Sequence, residues 1–208
     1  MTKPAETTQT SVGRIAEIWI FPVKSMAGTS VQHATLDSGG LAGDRSWGVV
    51  DDTGATVTAA HEPRLREVAA ATVDNVLRID VPGAVAGLSG DAADAELSSW
   101  LGRVVHLAHR EGTGFVDSAP VHVVSRSSIT HASHDDECDA CDIAAPRANI
   151  VLELDEGTVS ERDWVGSTVT VGAAKLAVVR LPGHCLGVYA EVPTGGAIYL
   201  GDPVNLPR

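Results

Sequence analysis

Cysteine, lysine and aromatic residues are all scarce in this chain of 208 residues. The three cysteines, Cys138, Cys141 and Cys185, cannot all pair within one chain, which speaks against a secreted disulfide framework and for a reducing compartment. There is no apolar run of about eighteen residues, so no helical membrane span is expected. The opening residues Met1 to Gly13 are polar and Thr-rich and lack the apolar stretch of a signal peptide. They predict a frayed terminus and a cytoplasmic address. Positive charge is short as well: 15 Lys plus Arg face 27 Asp plus Glu, a net charge of −12. A surface of that sign does not bind nucleic acid broadly, and any anion the protein takes up needs a local basic site.

What is present suits a globular protein of one large or two small domains, with 44% hydrophobic and 20% charged residues. Short β-prone runs separated by Gly and Asp turns fill the first half: Arg14 to Phe21, Thr29 to Leu36, Ser46 to Asp51, Thr56 to Thr58 and Leu77 to Val81. D-D-T-G at Asp51 to Gly54 predicts a hairpin. Asp91 to Leu101 predicts a short amphipathic helix, with Asp91 as N-cap, Leu97, Trp100 and Leu101 on one face, and Gly102 ending it. A second helix is expected from about Ser127 to His134. The remaining runs, at Val104 to Leu107, Val121 to Val124, Ile150 to Glu153, Thr168 to Val171, Lys175 to Arg180, Gly187 to Val192 and Ala197 to Tyr199, are again short and β-prone. The expected fold is mainly β, a barrel with a few short helices. The Pro-Gly stretch from Val81 to Gly87 is the best candidate boundary, dividing 13–85 from 86–208.

Four segments carry chemistry. In Phe21-Pro-Val-Lys-Ser25 and Gly40-Leu-Ala-Gly-Asp-Arg-Ser-Trp47, a Lys and an Arg stand at strand ends beside small residues. They can converge on a phosphate, Arg45 by paired hydrogen bonds and Lys24 as a point charge. The bland alternative is a snorkelling Lys24 and a turn ion pair of Asp44 with Arg45. In Pro146-Arg-Ala-Asn-Ile-Val-Leu-Glu153, Arg147 and Asn149 fall two apart as a strand begins and would share one face. In isolation the bland alternative, an Arg and Asn closing a turn, is the favoured one. In Leu181-Pro-Gly-His-Cys-Leu-Gly-Val-Tyr189, Cys185 sits in a Pro/Gly loop, suited either to thiolate chemistry on a soft metal or in sulfur transfer, or to burial as a small hydrophobe. Finally, His131, His134, Cys138 and Cys141 form His-x2-His-x3-Cys-x2-Cys, which offers zinc-type ligands but also reads as an acidic solvated loop.

Taken together these segments resemble the MOSC family, the domain found at the C-terminus of molybdenum cofactor sulfurases and in the mitochondrial amidoxime reducing component and its bacterial relatives. The N-terminal resemblance lies in Phe21 to Ser25, Gly40-Leu41, Gly43-Asp44-Arg45-x-Trp47, Thr58 and Pro63-x-Leu65. The C-terminal one lies in Asp117-x2-Pro120 to Ser125, Arg147-x-Asn149-Ile-Val, Asp163 to Gly166, Val171-Gly172, Cys185 and Gly201 to Val204. The resemblance implies an N-terminal β-barrel domain at 13–85 and a MOSC domain at 86–208. It also implies a molybdenum cofactor, molybdopterin, with Lys24, Ser25 and Arg45 on its phosphate, Ser125, Arg147 and Asn149 on the pterin side, and Cys185 as catalytic thiolate on molybdenum.

The activity this implies is a molybdenum oxidoreductase that reduces N-hydroxylated or related N-oxygenated small molecules, with electrons from a separate redox protein. Two alternatives stay open: a sulfur or cofactor carrier using a Cys185 persulfide with a sulfur-donor partner, and a non-catalytic domain that binds partners or zinc. No nucleic-acid or membrane partner is expected.

Overall fold

The structure is a computed structural model, and it describes residues 9–112, 114–116, 118–132, 147–183 and 186–207. His134, Cys138, Cys141 and Cys185, singled out above, lie outside the described residues.

The described residues form two compact units. The first draws on Met1–Ile18, Val31–Ala42 and Ser118–Arg208, the second on Trp19–Ser30 and Gly43–Asp117.

The first unit is built on a closed barrel of seven strands. In spatial order these are Ile150–Leu154, Val121–Ser125, Val188–Thr194, Ala174–Arg180, Thr168–Val171, Pro203–Pro207 and Gln9–Ile20, the last of which pairs back onto Ile150–Leu154. Closure removes the free edges that an open sheet would expose. The strands Ala174–Arg180 and Val188–Thr194 alternate, with Ala174, Leu176, Val178, Val188, Ala190 and Val192 buried, as a single-faced core requires. Val121–Ser125 is buried at every position. It runs parallel to Ile150–Leu154, with Val123 opposite Ile150 and Ser125 opposite Leu152. A parallel pair needs a long crossover, and the helix Arg126–Ala132 lies in that connection. Gly13 sits at a register shift in the first strand, where a Cβ would stand 2.3 Å from the Glu153 carbonyl oxygen. Bulges of this kind bend a strand so that a barrel can close. A small sheet of Gly196–Tyr199, His33–Asp37 and Gly40–Leu41 completes this unit.

The second unit has a sheet of Thr56–Val57, Trp47–Asp51 and Val105–His109, a hairpin of Ala69–Val73 with Val76–Asp80, and the helix Gly90–Leu101. The D-D-T-G turn forms as expected: Gly54 N–H donates to Asp51 O and Val49 pairs with Val57. The helix ends where Gly102 takes a left-handed φ of 71° and its N–H reaches Ser98 O. Its N-cap is Ser89 rather than Asp91, which lies in the first turn, where its charge favours the helix dipole. Ala93, Leu97 and Leu101 pack with Leu65, Val68, Ile79 and Val105 in the unit's apolar core. Burying a leucine this fully contributes about 2–5 kcal/mol against alanine.

Candidate functional site

In the second unit the two N-terminal motifs pair along their backbones. Arg45 N–H donates to Phe21 O (2.7 Å), Trp47 N–H to Pro22 O (3.0 Å) and Lys24 N–H to Trp47 O (2.9 Å), around a parallel bridge of Val23 with Trp47. Two segments some twenty residues apart in sequence therefore fix the backbones of Lys24, Ser25 and Arg45 as one block. Ser25 (φ 72°) and Arg45 (φ 48°) both hold left-handed backbone, which costs a non-glycine residue about 1 kcal/mol each.

The side chains are tied in turn. Ser25 Oγ accepts from Ala59 N–H (3.0 Å), and Lys24 Nζ donates to Phe115 O (3.2 Å). Arg45 Nη1 donates to Asp44 Oδ2, and the guanidinium lies 5.3 Å from the Phe21 ring centre. The other Asp44 oxygen accepts from Phe21 N–H at 2.8 Å. The turn ion pair weighed as the bland alternative is thus present, and the buried Asp44 braces Arg45. Lys24, Ser25 and Arg45 are all half-buried.

Phe115 joins these groups. Its N–H donates to Arg45 O (2.8 Å), its carbonyl accepts from Lys24, and its ring lies 4.0 Å from the Arg110 guanidinium carbon. Gly48 makes room for that ring, since a Cβ there would stand 2.6 Å from it. Beside it Trp47 and His109 pack with ring centres 4.9 Å apart. Sequence reasoning missed Phe115 and Arg110. A lone aromatic among Gly, Thr and Asp has no periodicity, and Arg110 stands in no motif.

The first unit holds Ser125, Arg147 and Asn149. The strand begins at Ile150, and Arg147 has a left-handed φ of 35°, so the expected alternation of Arg147 and Asn149 along a strand does not occur. Asn149 is fully buried and makes a reciprocal pair with His122: Asn149 N–H donates to His122 O (2.8 Å), and His122 N–H donates to Asn149 Oδ1 (3.1 Å). The buried His122 ring donates from Nε2 to Leu186 O at 2.7 Å and packs on Tyr189 with centres 5.1 Å apart. Ser125, also fully buried, donates through Oγ to Glu161 Oε2 (2.6 Å) and through its N–H to Glu161 Oε1 (3.1 Å). Ser128 Oγ (3.0 Å) and Ser160 Oγ (3.3 Å) donate to the same carboxylate. Glu161 and His122 were not legible as site residues, because each looks like an isolated polar residue until the strands pair.

Of the zinc-type residues only His131 is described. It is exposed, and its Nδ1 donates to Ser127 O at 2.6 Å. Among the described residues no group of three or more His, Cys, Asp or Glu side chains is arranged to hold a metal ion. No described helix is long and apolar enough to cross a membrane.

A closed barrel in one unit, and in the other Lys24 and Arg45 rooted on paired strand ends, define a mainly β protein that is acidic as a whole. Residues 12–109 match the family described as the MOSC N-terminal beta barrel domain, a match that runs past the boundary expected at 85. It is similar to the mitochondrial amidoxime reducing component 2 of Rattus norvegicus, 38% identical over 76 residues, covering 35% of this chain and 22% of the relative. Similarity to the mitochondrial amidoxime-reducing component 1 of Homo sapiens reaches 45% over 58 residues, covering 26% of this chain and 17% of the relative. The chain thus spans about a fifth of the length of the curated relatives it matches. A crystal structure of the YUAD protein from Bacillus subtilis aligns over 96% of this chain and 97% of its own, at 13% identity and a TM-score of 0.48.

Proposed function

We propose that the protein binds a pterin-type molybdenum cofactor and reduces N-hydroxylated or related N-oxygenated small molecules, taking electrons from a separate redox protein. The observation that carries this reading is the block of Lys24, Ser25 and Arg45 on paired backbones. Two half-buried cations and a hydroxyl form a donor set suited to a phosphate monoester. That set fits the phosphate of the group, and the relatives, which are amidoxime reducing components, suggest the reaction class.

Within this reading the residues divide the work. Lys24, Ser25 and Arg45 hold the phosphate, while Asp44 orients the Arg45 guanidinium by its ion pair. Arg147 offers a cation on the pterin side. Ser125 and Asn149 serve by fixing the backbone there, because the Ser125 hydroxyl and the Asn149 carboxamide oxygen are engaged with Glu161 and His122. Cys185 is the residue assigned to the metal as thiolate. When bound, the group supplies two-electron oxygen-atom transfer chemistry. An amidoxime then gives an amidine and water, with two electrons and two protons entering from the redox partner and solvent. The odd cysteine count suits a reducing compartment, and we take the cytoplasm as the working address, although the curated relatives are named as mitochondrial.

The test is molybdenum content per chain after co-production with an ample cofactor supply, in the wild type and in Cys185→Ser, followed by amidoxime turnover with a supplied reductase. The reading expects near-stoichiometric molybdenum that falls sharply in Cys185→Ser, and turnover only in the loaded wild type. A chain without pterin or molybdenum under these conditions contradicts it.

A further inference from the structure

We propose that His122 is a positioning residue for Cys185: its ring holds the carbonyl of Leu186, the next residue in the chain, while its backbone is locked to Asn149. One strand residue would then anchor both the segment assigned to the pterin side and the segment assigned to the metal. The inference deepens the reading above and rests on it for the role of Cys185, but not for the anchoring of its neighbour.

The strand Val121–Ser125 is buried at every position, and His122 is the one titratable residue in it. At 6% exposure its ring needs a partner within the fold. Nε2 lies 2.7 Å from Leu186 O. A carbonyl oxygen only accepts, so Nε2 carries the hydrogen, which both the imidazolium and one neutral tautomer supply. The anchoring therefore does not depend on the charge of the ring.

The bond reaches beyond the sheet. Val121, His122 and Val123 stand opposite Ala190, Tyr189 and Val188, and the strand Val188–Thr194 begins only after Leu186 and Gly187. The His122 ring thus extends the hold of its strand toward Cys185 by a side-chain hydrogen bond. Packing on Tyr189, with ring centres 5.1 Å apart, limits the rotation of that ring. Gly187 narrows the path further, since its φ of 76° turns the chain and a Cβ there would stand 2.1 Å from Val123 O. The two residues that follow Cys185 are both seated on Val121–Ser125.

His122 is fixed in turn from the other side. Asn149, two residues after Arg147, donates its N–H to His122 O (2.8 Å) and accepts from His122 N–H through Oδ1 (3.1 Å). A histidine that served packing alone would be replaceable by phenylalanine. One that serves as this anchor needs its Nε2 hydrogen.

The test reads the reactivity of Cys185 in the full chain. Wild type, His122→Phe, His122→Asn and His122→Gln, produced without cofactor, are treated with iodoacetamide, and alkylation at Cys185, Cys138 and Cys141 is followed by peptide mass spectrometry. Phenylalanine keeps a ring on Tyr189 but no donor, asparagine is too short to reach Leu186 O, and glutamine restores a donor at the Nε2 position without the ring. Glu161→Gln is weakened elsewhere in the same unit. The proposal expects alkylation of Cys185 to run about five- to tenfold faster in His122→Phe and His122→Asn, the scale of one lost hydrogen bond. His122→Gln and Glu161→Gln should stay within about twofold of wild type, as should Cys138 and Cys141 in every variant.

A Cys185 rate within about twofold of wild type in His122→Phe and His122→Asn overturns the proposal. So does a rise in His122→Gln as large as theirs, which would assign the effect to the ring and not to the donor. An equal rise at all three cysteines, or a matching rise in Glu161→Gln, also overturns it, because either marks a general loosening of the fold. Selective release of Cys185 in a chain that never acquires molybdenum would uphold the anchoring and sink the cofactor reading. A chain that loads molybdenum equally in wild type and His122→Phe, with the Cys185 rate unchanged, would do the reverse.

Discussion

The two units treat their polar residues in opposite ways. In the first, Ser125, Asn149 and Glu161 are fully buried and directed at one another or at backbone, so their hydrogen bonds hold strands and a helix start together. In the second, Lys24, Ser25 and Arg45 are half-buried on strained or paired backbone, with aromatic rings and an aspartate behind them. Polar groups of the first kind are expensive to lose because their partners stay buried without a bond. Groups of the second kind are half-exposed, so water replaces most of the bonds they lose, the buried Asp44 beneath Arg45 excepted. The sequence thus carries two kinds of polar residue, and residue type alone does not separate them.

The difference breaks most sharply at Glu161. Glu161→Ala strands Ser125 N–H and three serine hydroxyls, and should cost about 3 kcal/mol in urea unfolding. Glu161→Gln, which keeps an acceptor oxygen, should recover part of that. Asn149→Ala removes the acceptor of the buried His122 N–H and should cost about 2 kcal/mol by the same measurement. A change under about 0.5 kcal/mol for either would place these residues with the ligand rather than the fold.

Gly48→Ala sharpens the comparison from inside the second unit, since its Cβ would press on the Phe115 ring at 2.6 Å. Overpacking there should cost about 1–3 kcal/mol and weaken phosphate binding as well, because Phe115 carries the Lys24 contact. Calorimetric melts and phosphate titration on the same sample separate the two effects.

The smallest effect is expected at Glu62. The Arg64 guanidinium hydrogen-bonded to it holds its carboxyl below the ordinary value of 4.5. A depressed carboxyl stabilises the fold above its unfolded pKa and loses that contribution as pH falls through the folded value. Glu62→Gln should therefore lower the melting temperature slightly at neutral pH and leave it unchanged in the acid limb, with the gap narrowing in high salt. A gap that persists in acid would assign the loss to packing.

Much of the fold was legible. Thr168–Val171 was read with its observed bounds, and Gly102 ended its helix as expected, because alternation and a left-handed cap are local signals. Ala69–Val73 was missed because three consecutive alanines have little strand preference. Its register with Val76–Asp80 comes from a tight turn at Asp74 and Asn75, both at positive φ. Pro203–Pro207 was missed because prolines bracket it, although barrel closure needs it between Thr168–Val171 and Gln9–Ile20. At the site, Lys24, Ser25 and Arg45 could be picked out because each stands in a short motif. Their bracing by Asp44, Phe115 and Gly48 depends on contacts across many residues of sequence, and no local pattern encodes those.

The most direct single measurement is pterin per chain, released by denaturation from protein co-produced with cofactor, comparing wild type with Lys24→Ala/Arg45→Ala. If the second unit's polar residues serve the ligand, pterin should fall about tenfold or more in the double variant. The melting temperature of the cofactor-free chain should meanwhile drop far less than in Glu161→Ala. Pterin retained at wild-type level, or lost only in step with a collapse of the fold, would contradict the account.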